Sequence, residues 1–334
     1  MKQKLRWALT CYLCVALASP AFAWGNFGHQ TVARIAARHL TPKAKAAIVT
    51  LIRNAPENSV IPGLHRNEGP DLLKILGTTG MPSDAKIEEA MAVIATWPDH
   101  MPSGKQETSG WHFVDIGLFE GPAIKPERCP QGSCVAQKIT EMENNIRSNK
   151  SIARPHPGMN PPAFTPDLEL RFLVHFVGDI HQPLHAATNA DGGGNCLLSA
   201  NLDSEVHAVW DTALVTIASK SSTDFAGDVI KKFNARRGSF QQVIDPARIA
   251  AESFNIAKTV IYPNAVSADE QHVPVIDHFV DAHPGHCEVA PPQIANLTID
   301  SEESFDDAKT LNIVRLQLYK GGVRLAQILN LMFP

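Results

Sequence analysis

The sequence predicts a mainly helical fold with at most a small β-hairpin. Apolar residues recur at helical spacing in several segments, as at Val32, Ile35, Ala36 and Leu40. Strand-like alternation is scarce, and the sequence contains neither an internal repeat nor a low-complexity tract. These observations favour a single all-α domain, because helices with one apolar face bury that face against one another.

Helix stop and start signals divide the chain into elements. Thr41 and Pro42 end the first helix and begin a second over 43–53. Further helices are predicted at 71–76, 87–96, 135–149, 204–220, 246–260 and 305–331. Residues 54–84 are rich in Pro, Gly and Asn, and we expect them to form a surface insertion. The single domain that carries this insertion would span residues 24–334. A turn at 191–195 precedes a segment that could pair as a small hairpin.

The first 23 residues have the pattern of a secretory signal peptide. Lys2, Lys4 and Arg6 precede an apolar run, and Ala21 and Ala23 are the small residues that a signal peptidase prefers. The run is too short and interrupted for a membrane span. We therefore expect an exported monomer, extracellular or periplasmic, without a membrane anchor or a stable protein partner.

The charge balance argues against a simple binder of duplex DNA. The chain has 30 Lys and Arg against 34 Asp and Glu, and three of the basic residues lie in the predicted signal peptide. The mature chain would therefore carry a net charge near −7. Proteins that bind duplex DNA electrostatically are normally basic.

The predicted mature chain keeps an even number of cysteines: Cys129, Cys134, Cys196 and Cys287. In an exported protein this number favours two disulfides. Of the three possible pairings, we favour a short loop closed by Cys129 with Cys134 and a long loop closed by Cys196 with Cys287. A zinc site built from cysteines is the alternative, but it suits an oxidising destination poorly.

The segment 172–185, FLVHFVGDIHQPLH, places three possible metal ligands among apolar residues. His175 and Asp179 are four residues apart, so they share one face of a helix. Pro183 cannot continue that helix without losing a backbone hydrogen bond, so we expect His185 to follow on a turned chain. For an isolated HxxxD pair, the alternative is a hydrogen-bonded pair in the core.

A second HxxxD pair and three further residues extend this pattern. EVHAVWD repeats the spacing at His207 and Asp211, His29 lies in the first helix, and Asp99 and His112 flank a loop. Together the chain offers five histidines and three aspartates, a mixture that zinc accepts without thiolates. Eight ligands exceed the needs of one tetrahedral ion, so the sequence predicts several metals.

These motifs resemble those of the zinc-dependent single-strand nucleases of the S1/P1, or type I, family, which includes mung bean nuclease. The matching pieces are Trp24 with His29, WPD at Asp99, HFVD at His112, HFVGDIHQPLH, GGN, HAVWD and the C-terminal GGVRLAQILN. They occur in family order over nearly the whole mature chain. The resemblance implies a helical bundle with three zinc ions at the bottom of a cleft.

The resemblance also implies the ligands of each ion. The first zinc would take Asp99, His112, His175 and Asp179. The second would take His185, His207 and Asp211. The third would share Asp179 as a bridge and add His29 with the free amine and carbonyl oxygen of Trp24. A processed N-terminus is needed for this last chelate.

The implied reaction is hydrolysis of single-stranded DNA and RNA to 5′-phosphorylated products, with 3′-nucleotidase activity. Hydroxide held by zinc would attack phosphorus in line, with Asp99 as the catalytic residue that orients it. Phe113 would stack on a base and Asp115 would accept from its amino edge, which only an unpaired base exposes. A core role for Phe113 and a turn role for Asp115 are the alternatives.

The chain departs from the family pattern at Pro102, where an arginine is common, and Lys105 is a nearby cation. Two other functions are therefore considered. A phospholipase C uses a related trizinc site, but choline recognition would need an aromatic–carboxylate cage, whereas HFVD favours nucleic acid. A non-catalytic secreted zinc-binding protein would hold its ions in closed coordination shells.

Overall fold

A computed structural model describes residues 24–55, 68–100, 105–153, 163–199, 204–220, 223–266, 296–297 and 309–334. The predicted signal peptide, Pro102 and Cys287 lie outside these ranges. Within them, none of the helices combines the length and the hydrophobicity that a membrane span requires.

The predicted all-α architecture is confirmed. The helices are α1 (Asn26–Ala37), α2 (Pro42–Arg53), α3 (Glu68–Leu76), α4 (Asp84–Ile94), α5 (Lys105–Thr108), α6 (Val135–Ser148), α7 (Pro166–Asp179), α8 (Val206–Ala208), α9 (Leu214–Ser219), α10 (Phe225–Phe233), α11 (Arg237–Gln241), α12 (Pro246–Ile256) and α13 (Lys309–Met332). Short strands pair in twos: β1 (Ile116–Gly117) with β4 (Ala187–Thr188), β2 (Ile152–Ala153) with β3 (Ala163–Phe164), β5 (Leu198–Ser199) with β6 (Ser204–Glu205), and β7 (Ala265–Val266) with β8 (Asn296–Leu297).

Helix α7 forms the centre of the fold. Thr165 precedes it, Pro166 occupies its first turn, and every residue from 167 to 179 is buried. It packs against α6, α13, α1 and α4, which together cover it. A helix enclosed on all sides needs apolar residues around its whole circumference, as the buried Phe172 and Val174 on opposite sides of α7 illustrate. His175 and Asp179 therefore project into the protein interior.

The segment around the second HxxxD pair differs from the continuous helix predicted for 204–220. Ser204 and Glu205 form strand β6, which pairs with β5 in the small hairpin that the sequence suggested. A π-helical turn over Val209–Ala213 then separates α8 from α9. Single π-helical turns occur often at functional sites. The prediction was wrong because Ser204 and Glu205 pair with Ser199 and Leu198. The helical spacing of residues 204–220 gives no sign of these partners, which lie earlier in the chain.

The predicted surface insertion at 54–84 is described only in part, since residues 56–67 lie outside the described ranges. Its later part contains α3, which packs against α4. Leu72 and Leu76 are both 2% exposed, so this part of the segment belongs to the hydrophobic core.

Candidate metal centre

The eight histidines and aspartates singled out from the sequence are all buried and lie in two groups. The first group contains His29, Asp99, His112, His175 and Asp179. The second group contains His185, His207 and Asp211. The structure thus brings together residues that are up to 182 positions apart in the chain.

Within the first group, Asp179 lies between two sets of histidines. Its Oδ1 is 3.2 Å from His29 Nε2. Its Oδ2 is 3.0 Å from His112 Nδ1 and 3.3 Å from His175 Nε2. The two oxygens of one carboxylate therefore face different imidazoles, which is the arrangement that a bridging ligand needs.

Asp99 completes the first group from the short helical turn Trp97–His100. Its Oδ1 is 3.4 Å from His175 Nε2 and 3.8 Å from His112 Nδ1. His29 stacks on His175 with ring centroids 3.7 Å apart. These contacts place His29 next to Asp99 and His175 as well as next to Asp179.

The second group follows the predicted turn after α7. The helix ends at Asp179, and a 3-10 turn over Pro183–His185 carries the next histidine, as Pro183 led us to expect. His185 Nε2 and His207 Nε2 are 3.1 Å apart. His207 Nε2 is also 3.2 Å from Asp211 Oδ2, across the π-helical turn.

The parallel pair of β1 and β4 holds the two groups next to each other. Ile116 pairs with Ala187 in this two-stranded sheet. Just before it, the Val114 N–H donates to the His185 carbonyl at 2.7 Å. In return, His185 Nδ1 donates to the His112 carbonyl at 2.8 Å. A ligand of one group is therefore hydrogen-bonded to the backbone of a ligand of the other.

Backbone carbonyls orient three of the histidines. His175 Nδ1 donates to Ala95 O at 2.7 Å, and His207 Nδ1 donates to Gly193 O at 2.7 Å. His185 makes the equivalent bond to His112 O. In each neutral ring the proton then sits on Nδ1, and the lone pair of Nε2 points into the group. Metal-binding histidines are typically oriented in this way.

Two glycines make this packing possible. A Cβ at Gly178 would lie 2.8 Å from His29 Nδ1, so only glycine lets α1 bring His29 this close to α7. Gly193 has a φ of +66°, and its Cβ would lie 2.4 Å from the Leu184 carbonyl oxygen. Each glycine therefore supports a predicted ligand, His29 in one case and His207 in the other.

The unpaired polar atoms of the first group fit a bound cation. His29 Nδ1 and Asp99 Oδ2 are buried and have no hydrogen-bond partner among the described residues. His29 Nε2 and Asp179 Oδ1 are also buried, and they approach each other to 3.2 Å without forming a hydrogen bond. Buried polar atoms are normally paired, so such a concentration calls for a ligand. Imidazole nitrogens and carboxylate oxygens without thiolates match the preferences of zinc.

The electrostatics also suit metal binding. Burial, reinforced by nearby His175, lowers the pKa of His29 to about 3, so this ring is neutral near pH 7. Burial by itself raises the pKa of Asp179, but His175 and His112 outweigh it and hold that pKa below its usual range. Asp179 and His29 thus have the protonation states in which they bind metals. Burial lowers the pKa of His175, but Asp179 and Asp99 outweigh it and raise that pKa well above its usual value, so a metal ion bound there would displace a proton.

Trp24, Phe113 and Asp115 have different surroundings. Trp24 is fully buried, and the N–H of the following Gly25 donates to the Asp211 backbone carbonyl at 2.9 Å, which anchors the start of α1 next to the π-helical turn. Phe113 and Asp115 are half-buried and belong to neither group. Burial and the neighbouring Asp191 raise the pKa of Asp115 to about 7. Strand structure begins only after these residues, at Ile116.

The first predicted disulfide is present, since Cys129 and Cys134 are bonded at 2.03 Å. Cys196 is also disulfide-bonded. Its predicted partner, Cys287, lies outside the described residues.

Sequence reasoning missed Gln182, which lies between Asp179 and His185. This residue is fully buried, and its Nε2 donates to Asp211 Oδ1 at 2.5 Å. Its position inside the ligand-bearing segment 172–185 is the sequence feature that could have indicated a role at the site. Nothing local in the sequence indicates that its partner is Asp211.

The fold and the site define a helical protein with buried, adjoining clusters of histidine and aspartate that can bind metal ions. Comparison with known proteins identifies the family to which the chain belongs. The chain belongs to the S1/P1 nuclease family, whose profile matches residues 24–334.

Individual relatives are similar over most of their length. Endonuclease 3 of Arabidopsis thaliana is 23% identical over 98% of this chain and 95% of the relative. Nuclease P1 of Penicillium citrinum is 23% identical over 92% of this chain and 97% of the relative. Nuclease S1 of Aspergillus oryzae is 26% identical over 59% of this chain and 56% of the relative.

Proposed function

We propose that this protein is an exported, zinc-dependent phosphodiesterase that hydrolyses single-stranded DNA and RNA to 5′-phosphorylated products, with 3′-nucleotidase activity. The observation that carries the proposal is the pair of adjoining His–Asp groups, in the first of which the two Asp179 oxygens face different imidazoles, in a chain of the S1/P1 nuclease family. Nuclease P1 and nuclease S1 are named for nuclease activity, and the same class of reaction is proposed here.

Three zinc ions would occupy the two groups. Asp99, His112, His175 and Asp179 would hold one ion, and His185, His207 and Asp211 a second. His29, Asp179 and the amine and carbonyl oxygen of Trp24 would hold the third. The separate partners of Asp179 Oδ1 and Oδ2 support the bridging role of this residue.

Bound zinc would supply Lewis acidity, which withdraws electrons from phosphate oxygens and makes water more acidic. Asp99 is the proposed catalytic residue. Burial raises its pKa, but His175 and His112 outweigh this and lower it, so the carboxylate stays ionised near neutral pH. Its Oδ2 lacks a hydrogen-bond partner among the described residues and can accept a hydrogen bond that orients the attacking hydroxide.

Phe113 and Asp115 are the proposed base-binding residues. A half-buried aromatic ring can stack on an unpaired base. Because burial and Asp191 raise the pKa of Asp115 to about 7, its carboxylate is only partly ionised at neutral pH and accepts from an exocyclic amino group more fully at higher pH. Bases within a duplex expose neither face nor edge in this way, which supports a preference for single strands.

The proposal is tested with Asp179→Asn and, as a control, Asp228→Asn at an exposed position of α10. Zinc content is measured by mass spectrometry, and hydrolysis is measured on single-stranded and duplex DNA. We expect Asp179→Asn to lose more than about 100-fold in activity together with bound zinc, since even residues that support ligands contribute 10–100-fold. The control should match the unaltered protein on both measurements.

Equal activity of Asp179→Asn and the control would contradict the proposed site. Hydrolysis of phosphatidylcholine without hydrolysis of single-stranded DNA would indicate a phospholipase C instead. Three bound zinc ions without hydrolysis of either substrate would favour a structural zinc protein. Product ends are identified by ligation, which requires the 5′-phosphate that we expect.

A further inference from the structure

A cavity of about 340 Å³ lies beside the second ligand group and has no role in the proposal above. Its lining consists of Gly25, Asn26, Phe27, His100, Asp211, Thr212, Val215 and Thr216. The volume falls within the range of small-molecule sites, roughly 300–1,000 Å³. Phe113 and Asp115 do not contribute to this lining, so the cavity is separate from the proposed base-binding residues.

Three residues of the cavity wall directly follow proposed zinc ligands in the chain. Gly25 follows Trp24, His100 follows Asp99, and Thr212 follows Asp211. Asp211 itself contributes to the wall. A molecule in the cavity would therefore lie beside one proposed zinc ligand, Asp211, and beside residues that directly follow a ligand of each of the other two sites in the chain.

Phe27 gives the cavity an aromatic surface. Its side chain is 44% exposed, and it is the only aromatic residue among the exposed large hydrophobic residues of the described chain. The ring packs against Phe225, with centroids 5.8 Å apart and an interplanar angle of 26°. A ring supported from one side and exposed to solvent can serve as a platform on which a nucleic-acid base stacks.

The polar part of the lining suits an uncharged ligand. His100 Nε2 donates to Asn26 Oδ1 at 3.0 Å, and Thr212 and Thr216 lie one helical turn apart at exposed positions. These groups can donate and accept hydrogen bonds. No lysine or arginine contributes to the described lining, so a base with its sugar fits better than a phosphate.

We propose that this cavity is a second nucleoside subsite, in which a base next to the scissile phosphate stacks on Phe27. The amide of Asn26 and the hydroxyls of Thr212 and Thr216 would contact the base edge or the sugar. The inference rests on the proposed function, because it takes the neighbouring zinc centre as the place where the phosphodiester is cleaved. It implies that a substrate with a nucleoside on each side of the bond is preferred.

The test compares Phe27→Ala, Phe27→Tyr and a control, Leu73→Ala, which removes an exposed apolar side chain from α3. Values of kcat/KM are measured for a dinucleoside phosphate and for single-nucleoside p-nitrophenyl esters of the 3′- and 5′-phosphate. Loss of a stacking ring should lower the dinucleoside-to-single-nucleoside ratio roughly ten-fold in Phe27→Ala. Phe27→Tyr, which keeps the ring, should preserve the ratio.

A second variant, Thr216→Trp, fills the cavity without altering Phe27 and should lower the same ratio. Binding of a phosphorothioate oligonucleotide, followed by fluorescence anisotropy, supplies a readout that needs no hydrolysis. Equal dissociation constants and equal ratios for Phe27→Ala, Thr216→Trp and Leu73→Ala would overturn the subsite. If the unaltered protein hydrolyses no phosphodiester, the proposed function fails, and the anisotropy comparison alone decides whether the cavity binds a strand.

Discussion

Gln182 connects the turn after α7 to the second ligand group. Its Nε2 donates to Asp211 Oδ1, and its Oε1 accepts from the Leu184 N–H at 2.6 Å. Asp211 Oδ2 is thereby left to face His207. We expect Gln182→Leu to lower the zinc affinity of this group by about 10–100-fold, because Asp211 loses the donor that orients it. Zinc content at buffered free-zinc concentrations measures the change.

The matched control is Gln137→Leu, at an exposed position of α6. It makes the same chemical change away from both groups and should retain the zinc affinity of the unaltered protein. If the two variants bind zinc equally well, Gln182 has no part in positioning Asp211.

Individual ligands could be predicted from the sequence, whereas the residues that support them could not. His175 with Asp179 and His207 with Asp211 share a local spacing that indicates a common face. Gln182 and Asp211, in contrast, are 29 residues apart, and no pattern connects them. The raised pKa of Asp115 likewise depends on burial and on Asp191, which only the folded chain brings near.

At the scale of elements, the close approach of α1 and α7 depends on Gly178. A methyl group there would contact His29 Nδ1 at 2.8 Å and Cε1 at 3.2 Å. Both helices are tightly packed, so neither can move away without disturbing other contacts. We expect Gly178→Ala to displace His29 from Asp179, to lower zinc affinity at least about ten-fold and to destabilise the fold by about 1–3 kcal/mol.

Gly238→Ala serves as the control, because Gly238 lies in helix α11 and a Cβ there would have nothing within 4 Å. Alanine is a better helix former than glycine, so this variant should be equally stable or more stable by up to about 1 kcal/mol. Thermal unfolding and zinc analysis of both variants provide the comparison. If Gly178→Ala matches Gly238→Ala in stability and zinc content, the close approach of α1 to α7 does not limit either property.

Some helices and helix boundaries could be predicted from the sequence, whereas others could not. The boundary at Pro42 and the end of α7 before Pro183 follow from local backbone chemistry, and both are confirmed. Helices α10 and α11 were not predicted. The π-helical turn at Val209–Ala213 also escaped prediction, because HAVWD reads as an ordinary helix when its packing is unknown.

For the whole molecule, the order of motifs predicted a helical bundle, but tertiary pairing determines how the site is assembled. Strands β1 and β4 consist of two residues each, too few for a sequence pattern. Their pairing nevertheless brings His112 beside His185 and thus joins the two ligand groups. Short parallel pairs of this kind depend on the packing around them.

The stability of the whole molecule should depend on pH through Glu169, which is buried in α7 and 1% exposed. Asn145 Nδ2 donates to its Oε1 at 3.1 Å, whereas Oε2 has no hydrogen-bond partner among the described residues. Burial raises the pKa of Glu169 to about 8, so the folded protein holds a proton that the unfolded chain releases above its ordinary pKa near 4.5. Stability is therefore lost as pH rises from about 5 to 8, by up to about 1.4 kcal/mol per pH unit.

Glu169→Gln removes this proton linkage, because an amide does not titrate and its oxygen can still accept from Asn145. We expect the free energy of unfolding of the unaltered protein, relative to Glu169→Gln, to decrease between pH 5 and pH 8. Denaturant unfolding of both proteins at matched zinc concentrations measures this difference, in which pH effects common to both cancel. Glu127→Gln, at an exposed position, should show no such trend. A difference that stays constant across this range would mean that Glu169 is ionised in the folded protein.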